Sequence, residues 1–519
     1  MELLLANLSS GFGEIMHLSV ILCLLSGSIL GVVIGAVPGL GPAVAIAVLL
    51  PATFSMEPLA GLSLLLGIYC GAWYSGSIPA ILINTPGTPV AVLTTYDGYP
   101  MARQGLAKRA LSIAFTSSLV GGMVSVMVLV VSAGMLANVA KNFGAVEFTA
   151  VTLLGLALVV IAHRGQMLAT GMMLGIGLFF STVGLGGATG MPRYTFGSSA
   201  LLNGIQLVPV VLGIFAIAQA LILIESALMA RRDAEATNRE EIPDSQASAG
   251  VDWDGVKEVF RHPRTLLRSS AFGVGIGVLP GVGEFLAQFL SYIAAKRASR
   301  HPETFGKGNP EGLIASETAN NAVTGAALVP LLALGIPGEA LTAMMIGVFQ
   351  VHNIFPGPRL FEQSPDLING IYASMLVINA FIFVFLLSLS RWAGVMTRIN
   401  PLVLGVTILS LAFVGAYSLN LSMSDVWIAL ACGLFGYSAR RLGLPVVPLI
   451  LGMVLGPIIE NRLRQSLSIS DGSLLIFLER PISLAVFSIL ALILVWIIGS
   501  ALIGKLSRKK PQPESKVSA

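Results

Sequence analysis

Charged residues are missing from this chain over stretches long enough to cross a bilayer, and that gap pattern restricts its fold more than any motif. None falls within residues 110–140, 165–192, 194–224, 367–390, 399–424 or 481–504. A helix needs about 20 apolar residues to cross the hydrocarbon core, so each gap can hold one pass. Two earlier stretches are longer: residues 15–56 carry only His17, and residues 58–96 carry no charge. Each of these must hold more than one membrane element. Charged residues make up only 11% of the 519-residue chain, too few to clothe a water-soluble protein of that size. A transmembrane β-barrel would alternate apolar and polar residues in short segments, whereas these runs are continuous. Lipid admits only helices and closed barrels. The expected fold is therefore all-α and polytopic, with about 10–12 transmembrane helices.

The chain also repeats itself. Gly31–Gly41 reads GVVIGAVPGLG, and Gly273–Gly283 reads GVGIGVLPGVG. Farther on, Pro79 and Pro86-Gly87 recur as Pro330 and Pro337-Gly338. Lys257, Arg261, Arg264 and Arg268 precede the second motif, and Lys296, Arg297 and Arg300 follow it. No Lys or Arg precedes the first motif, and its basic cluster comes later, at Arg103, Lys108 and Arg109. Basic loops favour the cytoplasmic face, so the halves read as inserted in opposite senses. Inverted repeats with broken or re-entrant helices are a recurring transporter plan. Residues 269–295, basic at both ends, read as a re-entrant hairpin bending at Pro280-Gly281; one kinked span is the other reading.

The expected organisation follows. Residues 1–228 form a first membrane repeat with additional spanning helices. Residues 229–268 form a polar cytoplasmic linker, helical near Trp253–Phe260, and residues 269–368 form the core of the second repeat. Residues 369–504 supply further membrane helices, and residues 505–519 a basic cytoplasmic tail. The first apolar segment lacks a basic leader and runs on into more apolar sequence, so no cleavable signal is expected.

Pro38, Gly39, Leu40 and Gly41, and their counterparts Pro280, Gly281, Val282 and Gly283, place helix breakers inside apolar sequence. Proline removes a backbone donor and glycine admits unusual backbone angles, so the helix should stop at membrane depth. Irregular backbone there is tolerated only around a protein-lined or watery cavity. The following helix would present its N-terminal amides, which suit a carboxylate. No arginine lies beside either motif in sequence. The alternative is that these glycines serve close helix packing.

Asn84, Thr85, Gly87 and Thr88 at the second break, with Ser75 upstream, add polar groups, and Pro337 and Gly338 mark the matching break. Asn320 and Asn321 lie in the run Glu317–Asn321. Together these are the candidate substrate-binding residues. Glu284, Glu317 and Glu339 are candidates for an ion-coupling role, because ionisable groups at membrane depth are functional by default, and Gln288 joins them one helical turn beyond Glu284. For Glu317 and Glu339 a position at a watery membrane boundary is the competing reading.

Other chemistries find little support. The five histidines are dispersed and Cys23, Cys70 and Cys432 sit in apolar sequence, so neither a metal centre nor another resident cofactor is expected. No GxxxxGK[ST] run is present, and no nucleophile–base spacing suggests an enzyme. The net charge of +4 reflects basic loops at membrane surfaces rather than nucleic-acid binding.

Several runs together resemble the large membrane subunit of the bacterial tripartite tricarboxylate transporters, the TctA family. They are Gly31–Gly41, GIYCGAWYSGSIPA at 67–80, INTPGTP at 83–89, GVLPGVG at 277–283, ETANN at 317–321 and LGIPG at 334–338. The resemblance covers the chain through about Glu460. It implies a multi-pass protein of the bacterial inner membrane, working with a small membrane subunit and a periplasmic solute-binding protein. It also implies uptake of citrate or related organic anions by symport with Na+ or H+. A channel or exporter for small organic anions, independent of a binding protein, is the alternative. Glu284 has no counterpart in the first motif, where Pro42 stands.

Overall fold

The computed structural model describes residues 2–163, 165–187, 190–236, 251–390 and 400–507. The linker residues 237–250 and the tail residues 508–519 lie outside them. Among the described residues the regular structure is helical apart from one two-residue strand pair, Gly184–Leu185 with Pro192–Arg193. Among the described residues seven helices are long and apolar enough to cross a membrane, including Pro58–Ile83, Ala107–Ala140 and Pro365–Leu389. Much of the rest consists of shorter helices divided at breaks.

The first half runs through α1 (Glu2–Ile15), α2 (Leu18–Gly35), α3 (Pro42–Leu49), α4 (Pro58–Ser75), α5 (Ser77–Ile83), α6 (Val92–Met101) and α7 (Ala107–Ala140). Then come α8 (Ala145–Ala162), α9 (Met167–Thr182), α10 (Leu207–Val211) and α11 (Ala218–Ala236). A π-helical turn, Leu212–Ile217, joins α10 to α11. The second half runs through α12 (Trp253–Arg261), α13 (Pro263–Gly277), α14 (Glu284–Ala298), α15 (Pro310–Ala326), α16 (Leu328–Leu334), α17 (Ala340–Val351), α18 (Leu360–Gln363) and α19 (Pro365–Leu389). Prolines open α3, α4, α13, α15 and α19, where a missing N–H costs nothing.

The halves correspond around their breaks. The α2–break–α3 unit corresponds to α13–break–α14. The hinged pair α4/α5, bending at Gly76, corresponds to α15/α16, bending at Ala327. Within each half the helix leading into the first break packs on the first helix of the hinged pair, α2 on α4 and α13 on α15. Between halves the partners are exchanged: α7 packs on α15, and α19 packs on α4. Such reciprocal pairing is what a two-fold relation between similar units produces. In the second half α13 and α14 pack on each other, so the chain folds back at the break as a hairpin does.

Glycine sets these distances. Gly27, Gly31 and Gly35 line one face of α2 against α4, and a Cβ on Gly31 would fall 2.5 Å from the Ile68 carbonyl oxygen. Gly273 and Gly277 do the same for α13 against α15. The packing role weighed for these motifs therefore belongs to their early glycines.

Helices α20 (Pro401–Asn420) and α21 (Met423–Arg441) pack together, and α20 lies on α11. They are followed by α22 (Val447–Ile469), α23 (Ile476–Glu479) and α24 (Pro481–Ser507). A second, smaller unit comprises Phe143–Ala157 with the chain from Pro457 onward. Inside it Val146, Ile476 and Phe477 form an apolar cluster, and Arg462 stacks 5.1 Å over Phe148.

Candidate functional site

Both Pro-Gly motifs interrupt their helices, and they do so in the same way. The Leu40 N–H donates to the Val37 carbonyl at 3.3 Å, and the Val282 N–H to the Leu279 carbonyl at 3.4 Å. With Pro at the second position and Gly39 (φ 82°) or Gly281 (φ 76°) at the third, each is a type II turn. Gly41 (φ 58°, ψ 162°) and Gly283 (φ 75°, ψ 173°) then cap α3 and α14 in a region that only glycine occupies freely. Beyond these caps the first-turn amides of α3 and α14 have no intrahelical partners.

The second breaks also correspond. Asn84 (φ 54°) ends α5 and Gly335 (φ 72°) ends α16, both left-handed. Asn84 is among the few residue types that tolerate this backbone, which explains its place; its side chain and that of Thr85 are exposed. Gly87 and Gly338 press on the hinges. A Cβ on Gly87 would lie 2.9 Å from Gly76 Cα, and one on Gly338 would lie 2.7 Å from the Ala327 carbonyl oxygen. Pro337 is buried beside it.

The four breaks converge. In the second half the Gly281 N–H donates to the Gly338 carbonyl at 2.7 Å. In the first, Gly41 faces Pro89, and Gly87 lies against the Gly35 carbonyl. Across the halves α3 packs on α17, and α14 packs on the 3-10 turn Pro89–Ala91.

Charge is distributed unequally over this cluster. Glu284 opens α14 and Glu339 caps α17, and both are buried, 5% and 7% exposed. Their side chains meet, and the Tyr69 hydroxyl, from α4 of the other half, donates to Glu339 Oε1. One turn along α14, Gln288 is completely buried with neither amide atom hydrogen-bonded, and Glu284 Oε1 is likewise unpartnered. The matching first-half positions hold Pro42 and Thr88, and the buried Thr88 hydroxyl has no partner either.

Other candidates have different surroundings. Glu317 is buried, 1% exposed, and accepts hydrogen bonds from Thr94 and Ser118, so the watery boundary weighed for it and for Glu339 does not hold for either. Asn321 donates to the Glu317 carbonyl at 3.2 Å, and Oδ1 of both Asn320 and Asn321 is buried and unpartnered. Ser75 lies under Gly35 and reaches the Gly31 carbonyl at 3.5 Å, within the helix packing.

Two contributors lie far from the motifs in sequence. Gln219 Nε2 donates to the Gly39 carbonyl at 2.9 Å, and Arg440 donates to Gln219 Oε1. An arginine is thus two bonds from the first break, although none is near it along the chain. Asp97 is completely buried. Its Oδ1 accepts from the N–H groups of Gly306, Gly308 and Asn309 at 2.8–3.0 Å, and its Oδ2 from the Tyr292 hydroxyl at 2.8 Å. It clasps α6 to the loop before α15. The sole sequence cue was an acid in an otherwise uncharged run.

Breaks recur in both halves, the second half adds a buried acidic pair beside its own, and comparison with known proteins gives the family. Residues 21–451 match the model of the tripartite tricarboxylate transporter TctA family. The chain belongs to the TctA family. An Agrobacterium vitis relative, described as an uncharacterized 52.8 kDa protein in TAR-I ttuC' 3'region, is 37% identical over 494 residues, 94% of each chain. A second, an uncharacterized protein in TAR-II ttuC' 3'region of the same organism, is 39% identical over 238 residues, 46% of this chain and 96% of its own. No solved structure matches. TctA is a family of membrane transport proteins, which accounts for the apolar helices and makes this chain a multi-pass membrane subunit.

Proposed function

We propose that this chain is the permease subunit of a binding-protein-dependent secondary transporter of the bacterial inner membrane, importing tricarboxylates or related organic anions with Na+ or H+. The inequality between the halves carries this reading. In the second half two carboxyl side chains, Glu284 and Glu339, stand at the helix ends that follow the breaks. In the first half the same positions are Pro42 and Thr88, so a carboxylate for the α3 amides would have to come from outside the chain. Substrate would therefore bind at Pro38–Gly41 and Thr88, with Gln219 holding the Gly39 peptide.

Two buried carboxyl groups in contact cannot both stay charged without a neutralising partner. A proton or a coupling cation at Glu284, Glu339 and Gln288 would supply it, and Tyr69 would report its arrival to the opposite half. Glu317, with one oxygen bonded by Thr94 and the other by Ser118, would join α6, α7 and α15. A small membrane subunit and a periplasmic solute-binding protein complete the system.

The test is citrate uptake into vesicles holding both membrane subunits, with added binding protein and an imposed sodium or proton gradient. Uptake should need the gradient, and Glu284→Gln or Glu339→Gln should abolish or alter that dependence while insertion is retained. Passive flux without gradient or binding protein would establish the channel reading instead.

A further inference from the structure

Helix α12 packs on the charged start of α7. The Asp252 N–H donates to Ser112 Oγ at 3.1 Å, and Arg109 pairs with Glu258 at 3.2 Å. Gly255 permits the approach, since a Cβ there would lie 2.9 Å from the Arg109 carbonyl oxygen. Lys108 and Arg109 are the last charges before the long apolar run of α7, so this contact lies at the membrane surface. Gly255 and Val259 face inward. The opposite face presents Trp253 and Phe260, 64% and 59% exposed, and just beyond them lies exposed Leu267 on α13.

Exposed Lys257, Arg261 and Arg264 flank these apolar side chains. Arg261 is bonded to Glu258, while among the described residues Lys257 and Arg264 have no ion-pair partner. Aromatic side chains bordered by cations form the pattern of a helix lying in the bilayer interface, its apolar face at the acyl boundary and its cations among the headgroups.

We propose that α12 and the start of α13 form a docking surface for anionic phospholipid headgroups of the surrounding bilayer, engaged by Lys257 and Arg264 with Trp253 and Phe260 inserted beside them. Each cation near an anionic surface should enrich such lipid roughly fivefold. The surface concerns the linker end of the second repeat and is independent of the transport reading.

The experiment reconstitutes the full-length chain in bilayers containing brominated phosphatidylglycerol or, in the same proportion, brominated phosphatidylcholine. The Trp253 emission is isolated by difference from Trp253→Phe. The expected result is stronger quenching by the anionic brominated lipid, with the preference lost in Lys257→Gln/Arg264→Gln. These exposed substitutions should leave the melting temperature unchanged, which separates lost lipid contact from misfolding. Equal quenching by both lipids would overturn the proposal. So would absence of quenching, which would place α12 against water or protein, or a preference that survives in the double variant.

Discussion

Gly281→Ala isolates the geometry on which the second break depends. Its φ of 76° costs an L-residue about 1–2 kcal/mol. The added Cβ would also fall 2.2 Å from Val159 Cγ2, and crowding a packed site costs about 1–3 kcal/mol more. The sum is about 2–5 kcal/mol. Gly283→Ala is the control: its backbone strain is about 1–3 kcal/mol, but nothing lies within 4 Å of its new Cβ. Thermal unfolding of the purified protein in detergent, followed by tryptophan emission, should place Gly281→Ala below Gly283→Ala. Adding Val159→Ala should recover part of the loss in Gly281→Ala, by about 0.5–3 kcal/mol of coupling, and none in Gly283→Ala. Uptake should fall in both single variants. Equal melting of the two, or no rescue by Val159→Ala, would refute the contact between the break and α8.

Two further outcomes test the frame around the site. Asp97→Asn removes the charge from a carboxylate that holds three backbone N–H groups and a tyrosine, and should destabilise by about 1–3 kcal/mol. Exposed Asp366→Asn should cost less than about 1 kcal/mol in the same melting assay. At Glu258, burial opposes the charged form, but hydrogen bonds from Arg261 and His262 and the Arg109 charge outweigh it and hold the carboxyl below its ordinary range. Its stabilisation is therefore complete above the ordinary carboxylate value and is lost as pH falls through the lowered one. The melting difference between wild type and Glu258→Gln should follow that course; a difference independent of pH would contradict the assignment.

The positions of the breaks were legible in the sequence because their cause is local. Proline and glycine act on their own backbone, so Pro38–Gly41 and Pro280–Gly283 declare a turn before any partner is known. The uncharged stretches declared membrane helices for an equally local reason, the cost of charge in hydrocarbon. Even the asymmetry between Glu284 and Pro42 was visible, though not what it meant. The two roles of glycine were not separable, since packing at Gly31 and turning at Gly39 use the same residue type in one motif.

Tertiary structure alone decided which polar groups are spent and which are free. Tyr69 meets Glu339, Thr94 and Ser118 meet Glu317, and Arg440 reaches Gly39 through Gln219, all between residues far apart in the chain. The composition of each segment says that a buried carboxyl or amide needs a partner. Only the packing of one half on the other, with α7 on α15 and α19 on α4, determines who that partner is, because side-chain hydrogen bonds are set by distance in space and not by separation along the backbone.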